Sequence, residues 1–122
     1  MTQLDKRIEM YTIGEDTVIA HFLDEKIFDE QNIASLGHQL FWIIEELQKK
    51  NIVLNFSNVE YLSAAMFAKM ITLNRMCQGV KGRLICCSIA PEVYEVFEIT
   101  KLNKLFEVAA TEQEALERLK AS

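Results

Sequence analysis

The sequence predicts an α/β protein with a mostly parallel, mixed sheet that begins with an antiparallel hairpin and has helices packed on it. Short apolar runs typical of strands alternate with longer segments in which apolar residues recur every three or four positions, as in helices. Only one proline and four glycines interrupt the 122 residues, so we expect long elements joined by short connections. Alternating strands and helices favour a parallel sheet with right-handed crossovers.

The first third of the chain predicts a hairpin followed by a helix. Residues 7–12 alternate polar and apolar side chains, as a half-buried strand does, and residues 17–22 form a second strand after a turn at residues 14–16. A polar connection over residues 24–29 leads to a long helix over residues 33–48. The apolar stripe of this helix consists of Ile33, Leu36, Leu40, Ile43 and Leu47.

The middle third predicts a strand over residues 52–56 that is covered on both faces, a turn at residues 58–60, and a helix over residues 63–78. Ser63 is the predicted N-cap, with its hydroxyl accepting hydrogen bonds from the first-turn N–H groups. The helical periodicity predicts an inward face of Met66, Met70, Leu73 and Cys77 with Phe67 at its edge. The predicted outward face contains Ala65, Lys69, Thr72 and Arg75.

The last third predicts a buried strand over residues 83–88 and a helix whose first turn contains Pro91. A short strand over residues 105–108 follows. The capping-box pattern Thr-Glu-Gln-Glu at residues 111–114 then opens a C-terminal helix. Without a linker, repeat or low-complexity tract, the sequence predicts one domain over residues 1–122.

Composition and charge exclude several classes of function. The net charge is −5 and no long basic cluster is present, which disfavours nucleic acid as a partner. The apolar runs are too short for direct insertion into a membrane, and the N-terminus has no apolar signal core. Three cysteines, two of them adjacent, indicate reduced thiols and predict a cytoplasmic protein.

The sequence contains no recognisable catalytic constellation. It has two histidines, no C-x-x-C and no glycine-rich phosphate loop. The acidic residues between positions 24 and 30 are more typical of a solvated loop than of a cation site. We therefore expect no enzyme activity, no metal and no cofactor.

Three segments resemble a known family. Residues 52–62 resemble the pattern "vvlDlsgvefi", residues 82–93 resemble "Ggrlvlvnvspev", and residues 97–106 resemble "leltgLdklf". They occur in the same order as in the STAS domain of bacterial anti-sigma-factor antagonists and of sulfate-transporter tails. From residue 8 to residue 119 the element order also resembles that domain, so the resemblance implies its fold.

The resemblance also implies a modified phosphorylation site. In the antagonists the segment after the strand reads roughly D-S-S-G-L, and its second serine is phosphorylated by a kinase that doubles as an anti-sigma factor. The matching positions are Ser63, Ala64, Ala65, Met66 and Phe67. The phosphoacceptor position is thus Ala65, which has no hydroxyl. Ser63 and the outward-facing Thr72 are weaker alternative acceptors, each with a simpler structural explanation.

The function implied by the resemblance is a non-enzymatic signalling module that binds an anti-sigma factor or a related kinase. The expected partner-binding residues are Asp24, Ser63, Ala64, Ala65, Met66, Lys69 and Thr72. Met66 has the alternative of packing inward. The alternative function is a STAS accessory subunit of a membrane transport complex.

Independently of the family, Trp42 falls on the polar side of its helix, where an aromatic residue is unusual. Together with Phe41 it marks either a homodimer or partner contact, or a position covered by an edge loop.

Overall fold

A computed structural model describes residues 6–121. In chain order its elements are β1 (Ile8–Ile13), β2 (Thr17–Phe22), β3 (Lys26–Ile27), α1 (Glu30–Glu45), β4 (Asn51–Asn55), β5 (Tyr61–Leu62), α2 (Ala64–Gly79), β6 (Leu84–Cys87), α3 (Pro91–Ile99), a 3-10 turn (Leu102–Lys104), β7 (Glu107–Ala109) and α4 (Glu112–Ala121). The predicted α/β fold class is confirmed.

The main sheet has five strands in the order β1-β2-β4-β6-β7. β1 and β2 are antiparallel, with Ile8 opposite Phe22 and Ile13 opposite Thr17, and the turn between them contains Gly14 at a positive φ of 65°. β2, β4, β6 and β7 are parallel neighbours. The predicted hairpin followed by parallel crossovers is therefore confirmed.

Each face of the sheet buries its own apolar layer. On one face the sheet packs against α1, α2 and α3, whose buried side chains include Leu36, Met70 and Phe97. On the other face a smaller cluster lies under α4, and it consists of Ile19, Val53, Ile85, Cys87, Ala109 and Ala115. Because the central strands are covered on both sides, they are apolar at almost every position.

Two short strands within predicted connections form a second sheet. β3 pairs with β5 in parallel, with Lys26 opposite Tyr61 and Ile27 opposite Leu62. Strands of two residues are too short to show periodicity, so the sequence pattern could not predict them. This pair joins the connection after β2 to the segment that leads into α2.

The boundaries of α1 differ from the prediction. Asp29 caps the helix, its Oδ1 accepting from Gln31 N at 2.9 Å and from Asn32 N at 3.2 Å. A cap at that position starts the helix three residues before the predicted start. The helix ends at Glu45, so the prediction that Leu47 belongs to the buried stripe is wrong: Leu47 is exposed, and Ile44 is buried.

β1 is more exposed than a half-buried strand. Only Ile8 is buried, whereas Met10, Tyr11 and Ile13 are 39%, 49% and 42% exposed. The cause is its position at the edge of the sheet, which alternation alone does not reveal. The final strand also begins later than predicted, because the N–H groups of Leu105 and Phe106 still bond to Leu102 O in the 3-10 turn.

Candidate functional site

Backbone hydrogen bonds fix the start of α2 against the connection after β2. Glu60 N and Tyr61 N both donate to Glu25 O, at 2.7 and 3.2 Å, and Ser63 N donates to Ile27 O at 2.9 Å. The connection over residues 24–29 therefore lies beside the start of α2. Because this scaffold is made of main-chain bonds, it leaves the outward-pointing side chains at the junction free to form a surface.

Ser63 occupies the N-cap position of α2, with φ −85° and ψ 164°, but its hydroxyl does not cap the helix. The Oγ atom is buried and has no hydrogen-bond partner among the described residues. Its carbonyl oxygen instead accepts from Met66 N at 3.1 Å and Phe67 N at 3.3 Å. The prediction of a capping hydroxyl is wrong. In this conformation the hydroxyl is also inaccessible to a kinase.

The first turns of α2 present small side chains outward. Ala64, Ala65, Ala68 and Thr72 are exposed, and the Thr72 hydroxyl donates to Ala68 O at 3.3 Å. Met66 is fully buried in the core, so the prediction that it contacts a partner is wrong, and the alternative that it packs inward is confirmed.

Lys69 lies along the junction between α1 and α2 and is half-buried. A Cβ placed on Gly37 of α1 would lie 3.0 Å from Cδ and 3.3 Å from Cε of Lys69. The aliphatic stem of Lys69 thus covers the α1 backbone where Gly37 leaves room for it, as long cationic side chains often cover apolar surface.

An exposed aromatic pair adjoins the start of α2. Phe28 and Tyr61 are 61% and 52% exposed, and their rings meet edge to face with centroids 6.3 Å apart. Sequence reasoning missed both. The only signal was alternation, since Ile27 and Leu62 point inward beside them. We call the set Phe28, Tyr61, Ala64, Ala65, Ala68 and Thr72 the α2 surface.

Asp24 is held in an ion pair with Arg7. Its Oδ1 lies 3.0 Å from Nη1 of Arg7, and Nη2 of Arg7 donates to Asn32 Oδ1 at 2.6 Å. About a quarter of each side chain of the ion pair is exposed. This network ties the start of β1 to α1, so the Asp24 carboxylate already has a cation as its partner.

Trp42 is 43% exposed, and Phe41 is half-buried against the core. Trp42 lies 13 residues beyond the Asp29 cap of α1, which corresponds to roughly 20 Å along the helix. The two residues therefore lie well away from the Asp29 end of α1.

A polar cluster lies at the start of α4. Glu112 Oε1 is 2.8 Å from both Nε2 of His21 and Nδ2 of Asn55. The neighbouring Cys87 is a free thiol, and burial raises its pKa to about 11. A thiol that stays protonated near neutral pH is a poor nucleophile, so Cys87 acts as a small apolar residue.

Two further features bear on function. Within residues 6–121, no group of three or more His, Cys, Asp or Glu side chains is placed to hold a metal ion. Among the same residues, none of the helices has the length and apolar character needed to cross a membrane.

A mixed five-stranded sheet with helices on both faces defines an α/β domain. The chain belongs to the STAS domain family, whose model matches residues 8–115. This confirms the resemblance found in the sequence.

Proteins similar to this chain include bacterial anti-sigma factor antagonists. The chain is 28% identical over 74 residues to BtrV of Bordetella bronchiseptica, provisionally assigned as such an antagonist; the match covers 61% of this chain and 64% of BtrV. An antagonist structure from Mycobacterium paratuberculosis superposes with a TM-score of 0.80 at 14% identity, over 98% of this chain and 99% of that one. Unphosphorylated SpoIIAA gives 0.71 at 18% identity, over 94% and 99%. At these identities the structures show that the fold is shared.

Proposed function

We infer that this chain is the antagonist component of a partner-switching pathway: a non-enzymatic, cytoplasmic module that binds an anti-sigma factor or a related kinase through the α2 surface. The observation that carries this function is Ala65. It is exposed in the first turn of α2, at the position that resembles the phosphoacceptor of the family. A kinase needs an accessible hydroxyl there, and alanine offers only a methyl group.

Because Ala65 offers no phosphate acceptor, phosphorylation at this position cannot weaken the interaction. Phosphorylation adds nearly two negative charges to a surface, which disrupts an apolar contact through desolvation. A surface that cannot receive those charges at this position stays in its binding state. The chain then acts by competition, occupying the anti-sigma factor in place of the sigma factor, and its effect is set by its concentration.

The aromatic pair supplies the contact area that the alanines lack. Aromatic side chains are enriched at protein interfaces and often dominate their binding energy. Phe28 and Tyr61 remain largely exposed although they contact each other. Beside them, the small side chains of Ala64 and Ala65 let a partner approach the helix backbone closely.

The test is affinity capture from a lysate of the source organism with the native chain, Ala65→Glu and Gln78→Glu as baits. Gln78→Glu is the matched control, because Gln78 is exposed on the same helix but lies 13 residues, about 20 Å, from Ala65. We expect an anti-sigma or kinase-like protein on the native chain and on Gln78→Glu. Ala65→Glu should retain at least about ten-fold less, equivalent to about 1.4 kcal/mol.

Three results would contradict this function. Capture of permease or ATP-binding subunits would favour the alternative, an accessory subunit of a transport complex. Equal retention by Ala65→Glu and the native chain would exclude the α2 surface as the contact. Stoichiometric phosphate on Ser63 or Thr72 in the protein from cells would show that a covalent switch persists.

A further inference from the structure

β1 is a long edge strand without the features that usually prevent an edge from pairing with another strand. Within residues 6–121 its only strand neighbour is β2. The opposite edge strand, β7, has three residues, whereas β1 has six. Natural sheets usually protect such edges with proline, lysine or a bulge. β1 has none of these: it reads I-E-M-Y-T-I, and its register with β2 is continuous.

The hydrogen-bonding pattern shows which backbone groups of β1 point outward. Leu23 N donates to Arg7 O at 3.0 Å, so the backbone of Arg7 faces β2. In an antiparallel pair this direction alternates along the strand. Ile8, Met10 and Thr12 therefore direct their N–H and C=O groups away from β2, which leaves three donors and three acceptors in a row.

We propose that β1 pairs antiparallel with β1 of a second copy of this chain, about a two-fold axis at Met10. In this register Met10 faces Met10 of the second copy and Ile8 faces Thr12. All three outward-facing residues of each copy are then paired, which makes six hydrogen bonds. A two-fold axis closes the assembly, because the same edge is used on both sides.

Charge favours a second copy as the occupant of this edge. Lys6 precedes β1, where its ammonium makes only an exposed pair with Glu9 at 3.0 Å, and Glu15 and Asp16 follow the strand; the neighbouring Arg7 is already paired with Asp24. Antiparallel pairing brings the basic end of one copy to the acidic end of the other. In the register centred on Met10, Lys6 lies opposite Gly14 of the second copy, next to its Glu15. A parallel arrangement would instead place like charges together.

The expected association is weak. The pairing covers one strand edge together with parts of the exposed Met10, Tyr11 and Ile13 side chains. Such a contact falls below about 1,200 Å², the range of transient complexes, so we expect a dissociation constant of roughly 10–1,000 μM. The domain is then monomeric when dilute and pairs where its local concentration is high.

Disulfide trapping tests the pairing and its register. In Met10→Cys the two introduced cysteines face each other with their Cα atoms about 5.5 Å apart, within the range that a disulfide spans. Thr12→Cys is the matched control. Thr12 is also exposed and on the same face, but the two copies of this residue are offset by four positions, about 14 Å. The native thiols are buried.

We expect Met10→Cys to form a covalent dimer under mild oxidation at least about ten-fold faster than Thr12→Cys. Equal rates for the two variants, or faster trapping of Thr12→Cys, would refute the register. A dimer in neither variant would refute the pairing.

Sedimentation velocity over a concentration series, up to about 1 mM, tests the association without a covalent bond. Met10→Lys and Met10→Glu should each be monomeric, because like charges then meet on the two-fold axis. An equimolar mixture of the two variants should associate again, a rescue that a folding defect would not produce.

Trp42→Ala is the control for the exposed tryptophan of α1, and it should leave the association unchanged. A native chain that stays monomeric at every concentration would overturn the proposal. So would an association abolished by Trp42→Ala but retained by Met10→Lys.

Discussion

The Ser63 hydroxyl gives the sharpest test of the packing at the start of α2. Substituting an N-cap serine by alanine normally costs about 0.5–2 kcal/mol, since the hydroxyl satisfies an N–H of the first turn. In this protein that bond is not made, and the Oγ atom is buried without a partner among the described residues. The usual cost of Ser63→Ala is therefore absent.

Ser63→Ala should therefore stabilise the protein, whereas loss of an N-cap hydroxyl usually destabilises it. A buried hydroxyl with no hydrogen bond carries a desolvation penalty of about 1–3 kcal/mol. Its removal recovers part of that penalty, and the lost atom leaves only a small void. We expect Ser63→Ala to raise the free energy of unfolding by about 1 kcal/mol.

Thr111 provides the matched control within the same molecule. Its Oγ1 accepts from Glu114 N at 3.1 Å, so this cap of α4 is made. Thr111→Ala should lower the free energy of unfolding by about 1 kcal/mol. In urea unfolding, a slope of about 1–3 kcal/mol/M converts each kcal/mol into a midpoint shift of about 0.3–1 M. A loss of stability in Ser63→Ala as large as that in Thr111→Ala would refute the reasoning.

Three further predictions concern backbone strain, close packing and the thiols. Lys101 has a positive φ of 65°, so Lys101→Gly should raise the urea midpoint by an amount equivalent to about 0.5–1 kcal/mol. A Cβ on Gly82 would overlap the Lys50 carbonyl oxygen, so Gly82→Ala should lower stability by about 3 kcal/mol. Gly79→Ala, with open space around its Cβ, should be neutral or stabilising by about 0.5 kcal/mol in the same assay. The buried thiols should react with Ellman's reagent at pH 8 at least about 100-fold more slowly in the native protein than in the denatured protein. Burial raises the pKa of all three thiols from 9.0, that of Cys77 to about 12 and that of Cys87 to about 11. The stability that the protonated thiols contribute is therefore complete below pH 9 and is lost as the pH rises through those values. Fast labelling of the native protein, or stability unchanged between pH 9 and 11, would contradict this. These thiols are Cys77, Cys86 and Cys87.

Most of the fold could be predicted from the sequence, because the long elements have unambiguous periodicity. The inward residues of α2 and the strands buried on both faces are determined by local pattern. β3 and β5 could not be predicted, since two residues carry no period and their pairing joins segments more than thirty residues apart. The end of α1 was misplaced because Leu47 continues the apolar spacing after the helix has ended.

The candidate site at the start of α2 stays a prediction, and the structure adds details of its surface that the sequence could not indicate. The family pattern located Ala65 in the first turn of α2. It could not reveal that the Ser63 hydroxyl turns inward while its N–H bonds to Ile27 O, since that depends on the β3–β5 pair. Nor could it show that Phe28 and Tyr61 meet on the surface, because each is an ordinary apolar residue until the two short strands pair.

The order of strands in the sheet has a consequence for synthesis on the ribosome. In the main sheet β2, β4, β6 and β7 each pair with a strand that has already emerged, so assembly can follow translation. The layer around Ile19, Val53 and Ile85 is the exception, because α4, which emerges after all of these strands, covers it. A nascent chain ending before Glu112 would hold a formed sheet with one apolar face open to solvent. Such stalled chains should bind a hydrophobic dye strongly and recruit chaperones, and emergence of α4 from the ribosome should end both.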